Sequence, residues 1–413
     1  MIVVSSSNPR VRDLVAASGS NRRRDAAFER RVAAIVETVR RGGDAALARY
    51  ARRFDGLTDA IEVPHAEIEA EARKASPAVR RALGAAARQV RTVAKEQRPR
   101  GWRLRVGPGV SVEQRIEPLA RVGCYVPGGR YPLPSSLLMT ALPARVAGVR
   151  EIMAVCPKPD PSVYAAALLV GVDRFFRIGG AHAIAALAYG TKTVPAVDKI
   201  VGPGNRYVAT AKNLVSADCP IDMQAGPTEI VIVAGSGKPS WIAADLIAQA
   251  EHDPDARAIF VTPSRTLADR VARAVEARMP DEGPARESLR RHGAIIVTKT
   301  LDEAMDLANR IAPEHLVVDR ESLTRGELRA GAVFVGPYTA QVAGDYAIGS
   351  NHVLPTAGAA RFRGGLSAAD FVRAVSVQRL TRRGLTRLAP TIVTLARAEG
   401  LEGHAASIEV RLS

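Results

Sequence analysis

From about residue 116 onward, short and continuously apolar runs alternate with longer Ala- and Leu-rich stretches. The runs are EIMAVCP (151–157), RFFRIGG (174–180), KIVGPG (199–204), EIVIVAG (229–235), AIFVT (258–262), AIIVT (294–298), HLVVD (315–319) and AVFVGP (332–337). Such runs, rich in Val, Ile and Phe and often bounded by Gly or Pro, predict strands buried on both faces. The intervening segments, such as ALPARVAG and AHAIAALAYGT, predict covering helices, so the pattern is that of parallel α/β layers. The strands are too many for one comfortable sheet, and GSGKPS (235–240) supplies turn residues at a natural divide. Two α/β domains are therefore expected, at 116–238 and 239–365.

The flanks carry a different rhythm. Phe28, Val32, Ile35, Val36 and Val39 form one helical stripe, GGD (42–44) interrupts it, and Leu47, Tyr50 and Phe54 continue it. A further helix is predicted at about 77–96, followed by RPRGWRLRVGPGV (98–110), which reads as a connector. Residues 1–115 are thus expected to be a helical region packed on the core. The segment 366–413 is expected to be a helical tail, opened by Ser367 with Asp370 three residues on, and ending in a short strand, IEVRL.

Composition adds little to this and removes several classes. The chain has 413 residues, 47% of them hydrophobic, enough for two or three domains with substantial cores. It has no apolar run of membrane-spanning length, and the opening MIVVSSSNPRVRD is too short in its apolar part for a secretory signal. Cys124, Cys156 and Cys219 fit neither a disulfide framework nor a cysteine zinc site, so reduced thiols in a cytoplasmic protein are expected. A net charge of +16 raises the possibility of nucleic-acid binding. The basic residues are mainly Arg scattered among Ala on helices, however, and aromatics at 4% are too few for base-stacking platforms. No nucleic-acid or membrane partner is expected.

Candidate chemistry sits in the loops. GCYVPGGRYPLPSS (123–136), IGGAHAIAALAYG (178–190), IVGPGNRYVAT (200–210) and MQAGPTEIVIV (223–233) are dense in Gly and Pro. Loops that follow strands and open helices present backbone N–H groups to phosphates or carboxylates. None of them contains G-x-G-x-x-G, and AGSGKPS lacks the spacing of a Walker A loop. At the end of DLIAQAEHDPDARAIFVT (245–262), Gln249 and His252 are three apart and would share a helix face, half of a metal site with N and O ligands. Asp345 and His352 share the loop GDYAIGSNHVLPT, and His404 ends GLEGH, but spacing alone cannot assemble these residues. Glu314-His315 opens a predicted strand, either as a water activator beside a general base or as a solvated strand end.

Taken in order, GCYVPGGRYPLPSSLLMTALPARVAGV, IGGAHAIAALAYGT, VDKIVGPGN, IDMQAGPTEI, AQAEHDPDA, APEHL, GDYAIGSNHVLPT and ARAEGLEGH resemble the motifs of histidinol dehydrogenase, from about residue 25 to the C-terminus. The resemblance implies two Rossmann-like parallel-sheet domains without the dinucleotide fingerprint, in a homodimer with shared active sites and one Zn²⁺ per subunit. It implies oxidation of L-histidinol through an aldehyde to L-histidine with two NAD⁺. It assigns Gln249, His252, Asp345 and His404 to zinc, the last reaching across from the partner, and His315 and Glu314 to base and water activation. It assigns Thr228, His352 and Glu399, together with His315 and the four zinc ligands, to substrate, and Tyr125, His182 and Asn205 to NAD. Two positions depart from the pattern: His182 stands where the family usually has Gln, and Gln341 where a Glu usually precedes the Asp ligand by four. The loss of negative charge at Gln341 leaves open a paralogue that oxidises another small polar alcohol, such as a sulfonated one.

Overall fold

The computed structural model describes residues 1–17, 25–128, 132–224 and 226–413. The centre of the first glycine-rich loop (129–131), position 225 of MQAGPTEI and the first residues of the predicted 22–54 helices therefore lie outside the described residues. The strands, in chain order, are β1 (Ile2–Ser5), β2 (Glu62–Val63), β3 (Trp102–Gly107), β4 (Val110–Pro118), β5 (Arg121–Tyr125), β6 (Glu151–Val155) and β7 (Arg174–Phe176). They continue with β8 (Lys199–Val201), β9 (Glu229–Val233), β10 (Arg257–Thr262), β11 (Ala294–Val297), β12 (His315–Val318), β13 (Ala332–Val335) and β14 (Val372–Leu380). Every strand read from an apolar run is present.

Two parallel sheets form the body. One has the order β2-β7-β6-β5-β8, parallel except for the two-residue β2. The other, β1-β11-β10-β9-β12-β13, is parallel throughout. Strands covered on both faces need apolar residues at every position, and β9 shows why. Ile230 and Ile232 pack with Phe260 and Leu246 on one face, while Val231 and Val233 pack with Leu307 and Ile311 on the other. The chain passes from the first sheet to the second between β8 and β9, ahead of the turn at 235–240 where the sequence pattern places the divide. β1 also belongs to the second sheet, pairing with β11, although its residues open the chain.

In the N-terminal layer, the helix Ala26–Tyr50 is kinked where Gly43 takes φ 51°, as the GGD interruption predicts. The stretch read as a connector is instead a hairpin of β3 and β4, completed into an antiparallel sheet by β14. In WRLRV the apolar and charged residues alternate, a period-two signal that the neighbouring Gly and Pro obscured. The tail also differs. Ser367 and Asp370 do form a capping box, but it opens only a short turn (Ala368–Phe371) before β14. IEVRL is not a strand: Ile408 and Glu409 end the helix Glu402–Glu409, which packs on Arg382–Ala398. An isolated strand with no neighbour cannot satisfy its backbone, whereas a helix can. Among the described residues no helix is long and apolar enough to cross a membrane.

Candidate functional site

The second sheet places its chemistry at an unusual end. In open parallel sheets, ligands usually sit beyond the C-terminal strand ends where the strand order reverses, here between β9 and β12. There the chain bonds to itself. The carboxylate of Asp319 accepts the backbone N–H groups of Gly235 (2.9 Å) and Ser236 (3.2 Å) and is gripped by Arg320 at 2.8 Å. The candidate residues gather at the opposite, N-terminal ends. Thr228 and Glu229 lead into β9, Glu314 and His315 lead into β12, and the two strands pair with His315 opposite Ile230. The helix Pro239–Ala250 connects β9 to β10 and runs back along the sheet, so its last turn carries Gln249 to the same edge.

There the side chains form a chain of hydrogen bonds. Glu314 accepts the Thr228 hydroxyl at 2.5 Å and the Glu229 N–H at 3.0 Å on the same oxygen. A hydroxyl has one proton, and the carboxylate takes it; Thr228 is left to accept the Nε2 donor of Gln249. This fixes the Gln249 amide with its nitrogen toward Thr228. Its Oε1 is buried and has no hydrogen-bond partner among the described residues. Such an orphaned oxygen is costly unless something else claims it.

His315 is buried, with Nδ1 3.2 Å from the Glu229 carbonyl and the ring 5.9 Å from that of Phe334. A carbonyl only accepts, so Nδ1 carries the proton and Nε2 keeps the free lone pair of a base. Burial lowers the His315 pKa and so favours the neutral imidazole, against the opposing charge of Asp345 and the Glu229 hydrogen bond. Glu314 moves the other way. Burial pushes its pKa up to about 7, against the Thr228 and Glu229 hydrogen bonds, with Asp345 adding to the rise and His252 opposing it. Burial thus favours the uncharged form of both neighbours, leaving His315 a proton acceptor and bringing Glu314 toward neutrality.

Asp345, on the short helix Val342–Tyr346, accepts Nε2 of Gln341 at 3.0 Å, and its backbone carbonyl faces Nδ1 of His352 at 3.0 Å. Burial lowers the His352 pKa, with Asp345 acting against it and His315 and His252 acting with it. His252, Glu314, His315, Asp345 and His352 therefore share one electrostatic neighbourhood. His252 is not on the helical face shared with Gln249 that the i, i+3 spacing predicts: the helix ends at Ala250, and His252 lies exposed in the turn beyond it. Pro254 disfavours helical geometry at Asp253, which ends the helix here. Glu399 and His404 lie exposed on the C-terminal helical hairpin, and neither is among the charges acting on Glu314, His315 or His352. Among the described residues, no three His, Cys, Asp or Glu side chains of this one chain form a metal cluster.

The remaining candidates line the first sheet at its own reversal of strand order, between β5 and β8. Tyr125 ends β5, and its hydroxyl accepts the Gly180 N–H at 3.0 Å. Asn205 follows β8 and caps the helix Arg206–Val215, its Oδ1 accepting the Tyr207 (3.0 Å) and Val208 (3.2 Å) N–H groups. Buried His182 is held by Asp55, Nε2 to Oδ2 at 2.8 Å, and the same oxygen accepts the Gly179 N–H at 3.1 Å. Sequence reading missed Asp55, Phe334 and the Lys212–Asp222 ion pair. Asp55 and Phe334 lie far along the chain from the residues they hold, and Lys212 and Asp222 carry no motif of their own.

Residues 19–412 match the histidinol dehydrogenase family. The chain belongs to that family. A histidinol dehydrogenase of Geobacter sulfurreducens is 48% identical over 393 residues, covering 92% of both chains. One from Pseudomonas putida is 45% identical over 403 residues, covering 94% of this chain and 91% of the relative. The crystal structure of histidinol dehydrogenase from Elizabethkingia anophelis superposes with a TM-score of 0.92 at 32% identity, covering 100% of this chain and 97% of that one. The protein is accordingly an enzyme of the histidinol dehydrogenase type, an oxidoreductase.

Proposed function

We propose that the enzyme oxidises L-histidinol through the aldehyde to L-histidine, reducing two NAD⁺ per substrate, with one zinc ion per subunit. The observation that carries this reading is the linked set Gln249–Thr228–Glu314 beside a neutral, proton-accepting His315, in a member of this family. The buried, unpartnered Oε1 of Gln249 is the oxygen a cation would claim. Gln249, His252 and Asp345 of one subunit, with the partner subunit's His404, would hold the ion; an N/O donor set of this kind suits zinc. Bound zinc would supply templating, keeping the alcohol carbon against the nicotinamide. Exposed apolar residues on β3 and on the C-terminal segment, Leu104 (56%), Val106 (61%), Leu395 (58%) and Val410 (69%), support a dimer that covers them and exchanges its tails.

In the first half-reaction His315 Nε2 takes the hydroxyl proton while the carbinol hydride passes to the first NAD⁺, giving aldehyde and NADH. Glu314 then takes a proton from water as its oxygen adds to the aldehyde carbon, and the protonated His315 returns its proton to the carbonyl oxygen, which completes the hydrate and frees Nε2 again. His315 accepts the hydroxyl proton of the resulting hydrate as its hydride passes to the second NAD⁺, leaving the carboxylic acid. Thr228, read from the resemblance as a substrate contact, acts here by holding Glu314 and Gln249, to which its hydroxyl is committed. His352 and the partner subunit's Glu399 remain to contact substrate. NAD⁺ is proposed to lie against the loops of Tyr125, His182 and Asn205.

The purified enzyme should release two NADH per L-histidinol and carry about one zinc per subunit. Inactivity on histidinol with turnover of a sulfonated or other polar alcohol would replace this reading by the paralogue that the neutral Gln341 allows. A pH profile tests Glu314. The carboxylate must be ionised to take a proton, and with a pKa near 7 the rate from the aldehyde should rise as pH passes through neutrality. In Glu314→Gln that rising limb should vanish; its persistence would assign it to another group.

A further inference from the structure

We infer that Gln341 is a positioning residue for Asp345, and that its neutral amide performs this work through a hydrogen bond a carboxylate cannot make. The inference rests on the proposed role of Asp345 as a ligand. Gln341 is 1% exposed and sits one helical turn before Asp345, at the start of the short helix Val342–Tyr346. Its Nε2 donates to Asp345 Oδ2 at 3.0 Å. One carboxylate oxygen is thereby occupied and the other is left for a further partner. An ionised Glu at 341 would have no proton to donate and would repel Asp345. The amide therefore holds the ligand in one orientation before any cation arrives.

The surroundings leave this helix little freedom. Gly344 lies so close to Phe334 that an added Cβ would come within 2.7 Å of the ring, and the same ring lies against His315. The helix carrying Asp345 is thus seated on the residue that supports the proposed base. The Oε1 of Gln341 is buried and, like that of Gln249, has no partner among the described residues.

The test is zinc affinity in the full-length protein, by competition with a chromophoric chelator, for wild type, Gln341→Met, Asp345→Ala and the double variant. Loss of a residue that orients a ligand costs about 10- to 100-fold in metal affinity, and that weakening is expected for Gln341→Met. In the Asp345→Ala background the same substitution should add nothing, because the residue it acts through is gone. Gln341→Asn, an amide too short to reach Asp345, should behave like Gln341→Met and serves if the latter does not fold. Wild-type affinity in a folded Gln341→Met or Gln341→Asn protein, or an effect undiminished beside Asp345→Ala, overturns the inference alone. Absence of stoichiometric zinc from the wild type overturns the metal reading and this inference with it.

Discussion

Turnover of histidinol should fall by about 10²- to 10⁴-fold in His315→Gln, the usual worth of a positioned general base, with zinc content and fold retained. Gln suits the test because it is neutral, as burial favours for the imidazole, and its amide can still donate to the Glu229 carbonyl that Nδ1 now faces at 3.2 Å. It keeps contact with Phe334 and leaves a smaller gap than Ala would. What it lacks is a basic lone pair. The loss should fall on kcat more than on KM, because proton transfer belongs to the transition state. A kcat equal to that of the wild type, measured with metal content verified, would remove His315 from the mechanism.

The largest stability loss is expected from Lys212→Met. The side chains of Lys212 and Asp222 are 4% and 1% exposed and form an ion pair. Asp222 also accepts the Gly202 N–H at 2.7 Å and the Met223 N–H at 2.6 Å, while the ammonium donates to the Gly202 carbonyl at 2.8 Å. The pair thus clamps both polar groups of Gly202, whose φ of +113° and contact with the Tyr125 carbonyl admit no side chain. Removing the cation alone strands a buried carboxylate, which typically costs about 3–5 kcal/mol. Two N–H donors remain, so the lower part of that range is expected in denaturant unfolding. A deficit under about 1 kcal/mol would show that the pair matters little.

Much of the framework was legible because its signals are local. Continuous apolar runs marked the strands of both parallel sheets, for a strand covered on two faces has no polar side to show. Gly43 marked the kink, and Ser367 with Asp370 marked their capping box. The errors lie where partners are distant. WRLRV and VRAVSVQRL become strands only because β4 lies between them, and β1 finds its place beside β11 in the second sheet. The i, i+3 spacing of Gln249 and His252 suggests one helix face, but the helix ends at Ala250 and leaves His252 beyond it.

The candidate site divides in the same way. The presence of Gln249, His252, Glu314, His315, Asp345 and His352, and their resemblance to a known set, are properties of the sequence itself. That Thr228 joins Gln249 to Glu314, that burial drives Glu314 up and His315 down, and that Gln341 donates to Asp345 were decided by tertiary structure alone. The physical reason is range. Helix and strand patterns repeat over a few residues and are written in neighbours, whereas a proton's affinity and an amide's orientation depend on groups that meet only when β9 and β12 pair and the chain closes around them.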